Sequence, residues 1–205
     1  MSDYDAAREE LRQAELALMQ QREEVAALRR RLPPGPEVDN YVFGSAEGDV
    51  NLVDLFTDRP LVLYHFMFGG KQESPCPMCS MWADGWNAVE RHVDQKLDLA
   101  LVTNGSVDEN AKLAQDRGWT NLRWLSAAGT SFKADFGSQD GDGNQWPFFT
   151  LFELDGDTPQ LSYSGGAHIT GEHWRGVDLL SPVWHFLDMT RQGRGDWMPS
   201  LEYAE

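Results

Sequence analysis

Apolar side chains first recur every seven residues: Leu11, Leu18, Val25 and Leu32 share one position, with Ala7, Ala14, Gln21 and Leu28 four before each. No Gly or Pro interrupts residues 3–32, so the spacing predicts one long amphipathic helix with an a/d seam over about four heptads. Two arrangements satisfy that seam. Either two copies of the chain pair as a coiled coil, giving a homodimer through residues 3–32, or the helix folds back on its own domain. Pro33-Pro34-Gly35-Pro36 stops the helix and makes a stiff link to the rest of the chain. The expected division is therefore 1–36, a helix with a Pro-rich linker, and 37–205, a separate domain.

From Tyr41 the period changes. A short strand is expected near Tyr41–Phe43, a turn at Glu47-Gly48-Asp49, and a brief apolar turn at Leu52–Phe56. Leu61-Val-Leu-Tyr-His-Phe-Met-Phe68 is a continuous apolar run of strand length. Met78, Trp82, Trp86, Val89 and Val93 then come at helical spacing. A second buried strand is expected at Leu97–Thr103, a helix at Val107–Arg117, and a short strand at Arg123–Ser126. An irregular Gly/Asp-rich stretch runs to Gly143. Phe148–Leu154 and Gln160–Ser164 flank Asp155-Gly-Asp-Thr-Pro159, a strand–turn–strand signal, and a last helix is expected over Asp178–Met189. Parallel βαβ units, then a hairpin and a closing helix, predict an α/β sandwich carrying a long N-terminal helix.

Composition narrows the partners. Hydrophobic residues make up 41% of the 205, enough for a real core. The net charge of −16, from 33 acidic and 17 basic residues, repels nucleic-acid backbone and anionic membrane alike. The first residues lack the apolar stretch of a signal peptide, and no run approaches the roughly 20 apolar residues of a membrane span. A cytoplasmic location is the expectation, and there a disulfide is usually transient and catalytic.

Only two cysteines occur, and they sit three apart in Ser74-Pro75-Cys76-Pro77-Met78-Cys79-Ser80. Strand, loop, Cys-x-x-Cys, helix is the setting of a thiol–disulfide site. Pro77 suits the first helical turn, where its missing N–H has no helical partner. Cys76 then falls at the helix N-cap, where free N–H groups and the positive dipole end favour a thiolate. Cys79, beneath Trp82, Ala83 and Trp86, is expected to be the buried member. An exposed attacking Cys76 and a buried resolving Cys79 supply the asymmetry that exchange needs. Two other readings stand beside it: part of a zinc site, which would need a second Cys pair or a His at finger spacing, and inert packing cysteines.

The order of elements, with the redox pair opening the first main helix, resembles the thioredoxin fold. More specifically, the chain from about residue 32 to 197 resembles DUF899, a bacterial family of predicted thioredoxin-like dithiol–disulfide oxidoreductases. The features that carry the likeness are Tyr41-Val-Phe43, Tyr64-His-Phe-Met-Phe-Gly69, Cys76-Pro-Met-Cys-Ser80, Ala83-Asp84-Gly85, Gly118-Trp119, Trp124, Ser126, Gly129, Phe132, Asp135-Phe136, Leu187-Asp-Met-Thr190 and Gly193-Arg194. The resemblance implies that Trp146-Pro147 stands where thioredoxins carry a cis-proline, with Pro147 beside Cys76 as the platform for a substrate disulfide and Pro75 and Trp146 next to it. It also puts His65 where a thioredoxin keeps its buried acid. There it either accepts the Cys79 proton during resolution or is a hydrogen-bonded core histidine.

The expected activity is dithiol–disulfide exchange: Cys76 as nucleophile, Cys79 as resolving thiol, His65 as base, no metal and no cofactor. The expected partners are a protein or low-molecular-weight disulfide and an external thiol reductant. A peroxiredoxin would call for Pro at 69 and Thr or Ser at 73, where this chain has Gly69 and Glu73. A non-catalytic adaptor, dimerising through residues 3–32 with the thiols as a latch, is the reading from another class. His168 and His173, five apart on a Gly-rich stretch, make poor metal ligands. Trp119, Trp124, Trp146 and Trp174 read as aromatic core or as the lining of a substrate groove.

Overall fold

A computed structural model describes residues 2–167 and 175–202; His168, His173 and Trp174 lie outside the described residues. The chain forms two compact units, Met1–Gly35 and Pro36–Glu205. The first is the helix α1 (Asp3–Arg30), none of whose residues is buried. Its start is fixed by a capping box: Ser2 Oγ accepts from the Asp5 N–H, and the Asp5 carboxylate accepts from the Ser2 N–H.

The second unit is built on seven strands: β1 (Val42–Ser45), β2 (Gly48–Asn51), β3 (Leu61–Gly69), β4 (Asp98–Asn104), β5 (Arg123–Ser126), β6 (Phe148–Asp155) and β7 (Thr158–Gly166). They lie in the order β2-β1-β5-β4-β3-β6-β7. β3, β4 and β5 run parallel, while β6 pairs antiparallel with β3 and β7 antiparallel with β6. Helix α2 (Pro77–Val93) crosses from β3 to β4, and α3 (Val107–Arg117) from β4 to β5. α3 begins and ends sharply because Ser106 caps it and Gly118, at φ 70°, closes it in the left-handed conformation. This is a thioredoxin-like α/β sandwich.

Alternation along β3 divides the core into two clusters. Tyr64, Phe66 and Phe68 join Trp82 of α2, Leu113 of α3, Leu101 and Trp119. Leu61 and Leu63 join Phe43, Leu52, Leu55, Val102, Phe132 and Phe152 on the other side. Three expectations needed revision. In the turn expected at 47–49, Gly48 and Asp49 already belong to β2, paired with β1. The Gly/Asp-rich stretch contains a single helical turn, α4 (Phe132–Asp135), which seats Phe132 in the second cluster. The last helix is broken in two: a 3-10 turn at Asp178–Leu180, then α5 (Pro182–Asp188). Pro182 forces this, because it has no N–H to continue a helix and disfavours helical geometry at Ser181, which instead caps α5.

Candidate redox site

The site sits where β3 leaves the sheet. β3 pairs with β6 only as far as His65–Phe148, and its pairing with β4 jumps from His65–Val102 to Gly69–Asn104. Phe66, Met67 and Phe68 therefore face Thr103 alone, a bulge that frees their peptide groups for other partners. The Met67 carbonyl accepts from the Cys76 N–H at 3.1 Å and from the Gln72 amide at 3.1 Å. The loop is pinched at its base by a reciprocal pair of bonds between Gly69 and Gln72. Gly69 has φ 78°, and a Cβ there would stand 2.0 Å from the Gly105 nitrogen. Only glycine lets the strand turn away this close to β4.

Cys76 is the N-cap of α2, with Pro77 as the first helical residue. Its sulfur accepts from the Cys79 N–H at 3.4 Å. The Cys79 thiol, then the N–H groups of Cys79 and Met78, pull the Cys76 thiol down to about 7 against the opposing effect of burial. No disulfide joins the two cysteines in this structure. Cys76 is not the exposed thiol anticipated: only 8% of the residue is accessible, because the loop folds it into the cluster with Phe68 and Ala167. Cys79 is wholly buried. Burial, the hydrogen bond to Cys76 and the Cys76 charge push its thiol well above the ordinary value, while the Tyr64 hydroxyl and the Met67 N–H act in the opposite direction.

Tyr64 supplies the contact that had been expected of His65. Its hydroxyl donates to Cys79 Sγ at 3.2 Å. Edge-on contacts with Trp82 and Trp86, at centroid distances of 5.6 and 4.7 Å, lock the ring. Burial, with the neighbouring thiols, holds the phenol well above its usual range, so it stays a donor.

His65 is not beside the pair. It points to the opposite face, stacked on Phe132 at 5.0 Å, with Nδ1 2.5 Å from Ser138 Oγ and Nε2 3.2 Å from Thr150 Oγ1. Ser138 donates to the Lys133 carbonyl. The network thus assigns the proton to Nδ1, with Nε2 accepting from Thr150. Burial, aided by the nearby Lys133 charge, keeps the ring neutral. The physical reason is topological. The crossover lays α2 over the face carrying Tyr64 and Phe66, and residue 65 must point away from it.

Pro147 also departs from expectation, since no peptide bond among the described residues is cis. Trp146 and Pro147 lead into β6 at the end of the sheet where the cysteine loop lies, and the Pro147 carbonyl accepts from the Ala167 N–H at 3.4 Å. Pro75 borders Cys76 in the loop and is half-buried. Among the described residues no group of His, Cys, Asp and Glu side chains is arranged to hold a metal ion, and no helix is long and apolar enough to cross a membrane.

Two residues of this site were not foreseen. Tyr64 could have been found from the alternation of β3 once the helix-covered face was known. Lys133, 1% exposed, donates to the Phe66 carbonyl at 2.9 Å and to Gln145 Oε1 at 2.5 Å. Its one sequence signal is a lysine set between Phe132 and Ala134 in a chain with only four lysines.

The sequence model of a family described as "Bacterial protein of unknown function (DUF899)" matches residues 1–204. No curated protein matches. Among solved structures, a yeast mitochondrial 1-Cys peroxiredoxin aligns with a TM-score of 0.52 and 13% identity, over 66% of this chain and 67% of its own. A PrxQ variant from Xylella fastidiosa aligns at 0.50 and 16%, over 65% and 85%. A peroxiredoxin-like protein from Aquifex aeolicus aligns at 0.50 and 12%, over 65% and 75%. At these identities the likeness is one of fold.

Proposed function

We propose that this chain, which belongs to the DUF899 family, is a dithiol–disulfide oxidoreductase working through Cys76 and Cys79. The observation that carries the reading is their asymmetry at one helix N-terminus: Cys76 caps the helix and its sulfur accepts from the Cys79 N–H, while Cys79 is fully buried beneath the Tyr64 hydroxyl. In the first step the Cys76 thiolate attacks a substrate disulfide R–S–S–R′. A Cys76–S–S–R bond forms, and R′S⁻ leaves with the electron pair of the broken bond. Cys79 then attacks Cys76 Sγ, closing the Cys76–Cys79 disulfide, and RSH leaves with the proton that Cys79 gives up. Two electrons pass from the dithiol to the substrate. An external thiol returns them by the same chemistry in reverse.

Limited access to Cys76 favours slender substrates, namely a low-molecular-weight disulfide or an extended segment of a protein. The peroxiredoxin reading shares the fold and the nucleophile: Cys76 would attack a hydroperoxide, and Cys79 would condense with the resulting sulfenic acid, releasing water. Stopped-flow tryptophan fluorescence separates the two, because Trp82 and Trp86 flank Tyr64 at the cysteine pair. The reduced protein is mixed with glutathione disulfide or with hydrogen peroxide. Faster oxidation by the disulfide, lost in Cys76→Ser, is expected. Oxidation by peroxide far above the rate of an ordinary thiol, with none by disulfides, would replace the exchange reading.

A further inference from the structure

Lys133 is a buried cation in a chain that is otherwise strongly acidic, and its neighbours do not neutralise it. Its two partners, the Phe66 carbonyl and the Gln145 amide oxygen, are both uncharged. Facing it from β3 is His65, neutral and already bonded to Ser138 and Thr150. On its own turn, Asp135 is taken by the Tyr41 and Ser131 hydroxyls. The remaining ionisable group that acts on it is Cys79, whose charge favours the ammonium.

The connection between them is a single peptide unit. Phe66 C=O and Met67 N–H belong to the same amide plane, freed by the bulge in β3. Lys133 Nζ donates to the oxygen of that amide at 2.9 Å, the amide's N–H acts to lower the Cys79 thiol, and the Met67 carbonyl next along accepts from the Cys76 N–H at 3.1 Å. A cation on the oxygen strengthens the N–H as a donor, and hydrogen bonds in series polarise one another in a low-dielectric interior. Gln145 holds the arrangement by accepting from Lys133 while donating to the Gly69 carbonyl at 2.8 Å, at the base of the cysteine loop.

Resting on the function proposed above, we infer that Lys133 is the counter-charge of the Cys79 thiolate, acting through the Phe66–Met67 peptide to speed resolution of the mixed disulfide. It touches neither sulfur, so it is a positioning residue. In the step it assists, Cys79–SH loses its proton and attacks Cys76 Sγ. The Cys76–Cys79 bond forms, the bond from Cys76 to the substrate sulfur breaks, and the substrate leaves as RSH. Once the disulfide has closed, Cys79 carries no charge and Lys133 loses its favourable partner. Oxidation therefore weakens the hold of Lys133 on its proton.

Dithiodipyridine tests this, because each exchange step releases one absorbing thione. The first comes with attack by Cys76, the second with attack by Cys79, and Cys79→Ser should give the first alone. In Lys133→Met the second phase should slow on the order of tenfold and its pH profile should move to higher pH, with the first phase unchanged. Lys133→Arg should restore most of the rate. A second phase in Lys133→Met as fast as in the wild type, with altered stability, would overturn the inference and leave Lys133 as a cap on the Phe66 carbonyl. If Lys133→Met does not fold, Gln145→Glu sets a carboxylate against the ammonium and cancels its field; it should slow the second phase likewise, and an unchanged rate refutes the inference. Wild-type protein that releases no thione in either phase would bring down the exchange activity itself, a result distinct from failure of the lysine's role.

Discussion

Removing one oxygen from the core tests the resolving half of the site. In Tyr64→Phe the ring keeps its place between Trp82 and Trp86, but the 3.2 Å donor to Cys79 Sγ is lost. A hydrogen bond to a charged group contributes about 1.5–3 kcal/mol, which corresponds to roughly one to two units of thiol pKa. The thiolate population at neutral pH falls by that amount. A more basic thiolate is also a better nucleophile, with a Brønsted slope of about 0.4–0.5, so roughly half of the loss is recovered. Resolution should slow roughly threefold to tenfold. The attack by Cys76, stabilised by its own N–H donors, should not change. The neutral protein loses only a weak O–H to sulfur bond, so stability should fall by less than about 1 kcal/mol. Rapid acid quenching followed by intact-mass measurement of the glutathione adduct reads both steps, and in the variant the mixed disulfide should accumulate and decay slowly. Decay at the wild-type rate would show that the hydroxyl does not act on Cys79 when it is charged, and the reasoning would fail.

Other outcomes follow from the same geometry. Iodoacetamide should label Cys76 with a midpoint near pH 7 and leave Cys79 unlabelled across that range; equal labelling, scored by peptide mass, counts against the asymmetry. His65→Ala should cost about 2–4 kcal/mol in urea unfolding, by leaving Ser138 and Thr150 without their partner and a gap beside Phe132, yet leave exchange rates as they are. Lys133, held near 7 in the folded protein against an ordinary 10.5, makes stability depend on pH. Below pH 7 the lysine is charged in both states and its burial costs on the order of 5 kcal/mol. Between pH 7 and 10.5 the unfolded chain binds the extra proton, so this contribution makes the fold more stable as pH rises. Lys133→Met should remove that rise, and a curve parallel to wild type in denaturant titrations would contradict it. Gly69→Ala, whose Cβ would meet Gly105 at 2.0 Å, should cost several kcal/mol and lower the yield of folded protein; a melting temperature like the wild type's would disprove the close approach.

Local chemistry explains what could be read from the chain. The bounds of α3 and β5 were legible because a capping serine, a closing glycine and a clear change of period mark them. The passage from strand to Cys-x-x-Cys helix was legible because Pro77 belongs only at a helix start. Three features were not. Choosing between Tyr64 and His65 needs the face on which α2 lies, and alternation alone says only that they differ. The burial of Cys76 depends on residues from distant segments that share its cluster, Phe149 and Ala167 among them. The isomer of the Trp146–Pro147 bond depends on tertiary surroundings, since the dipeptide permits either. α4 is not legible in the sequence because one turn has no period.

Strand β3 also sets limits on how this chain can diverge. Its consecutive residues serve two unrelated neighbourhoods, a thiol on one side and a phenylalanine cage on the other. One residue gained or lost between Leu61 and Tyr64 would turn an imidazole toward the sulfur and a phenol into the cage, reversing both at once. Descendants of this sequence can therefore exchange one apolar side chain for another along the strand far more readily than they can change its length. Insertions should collect instead where no face is committed, as at the exposed Gly156-Asp157 turn between β6 and β7.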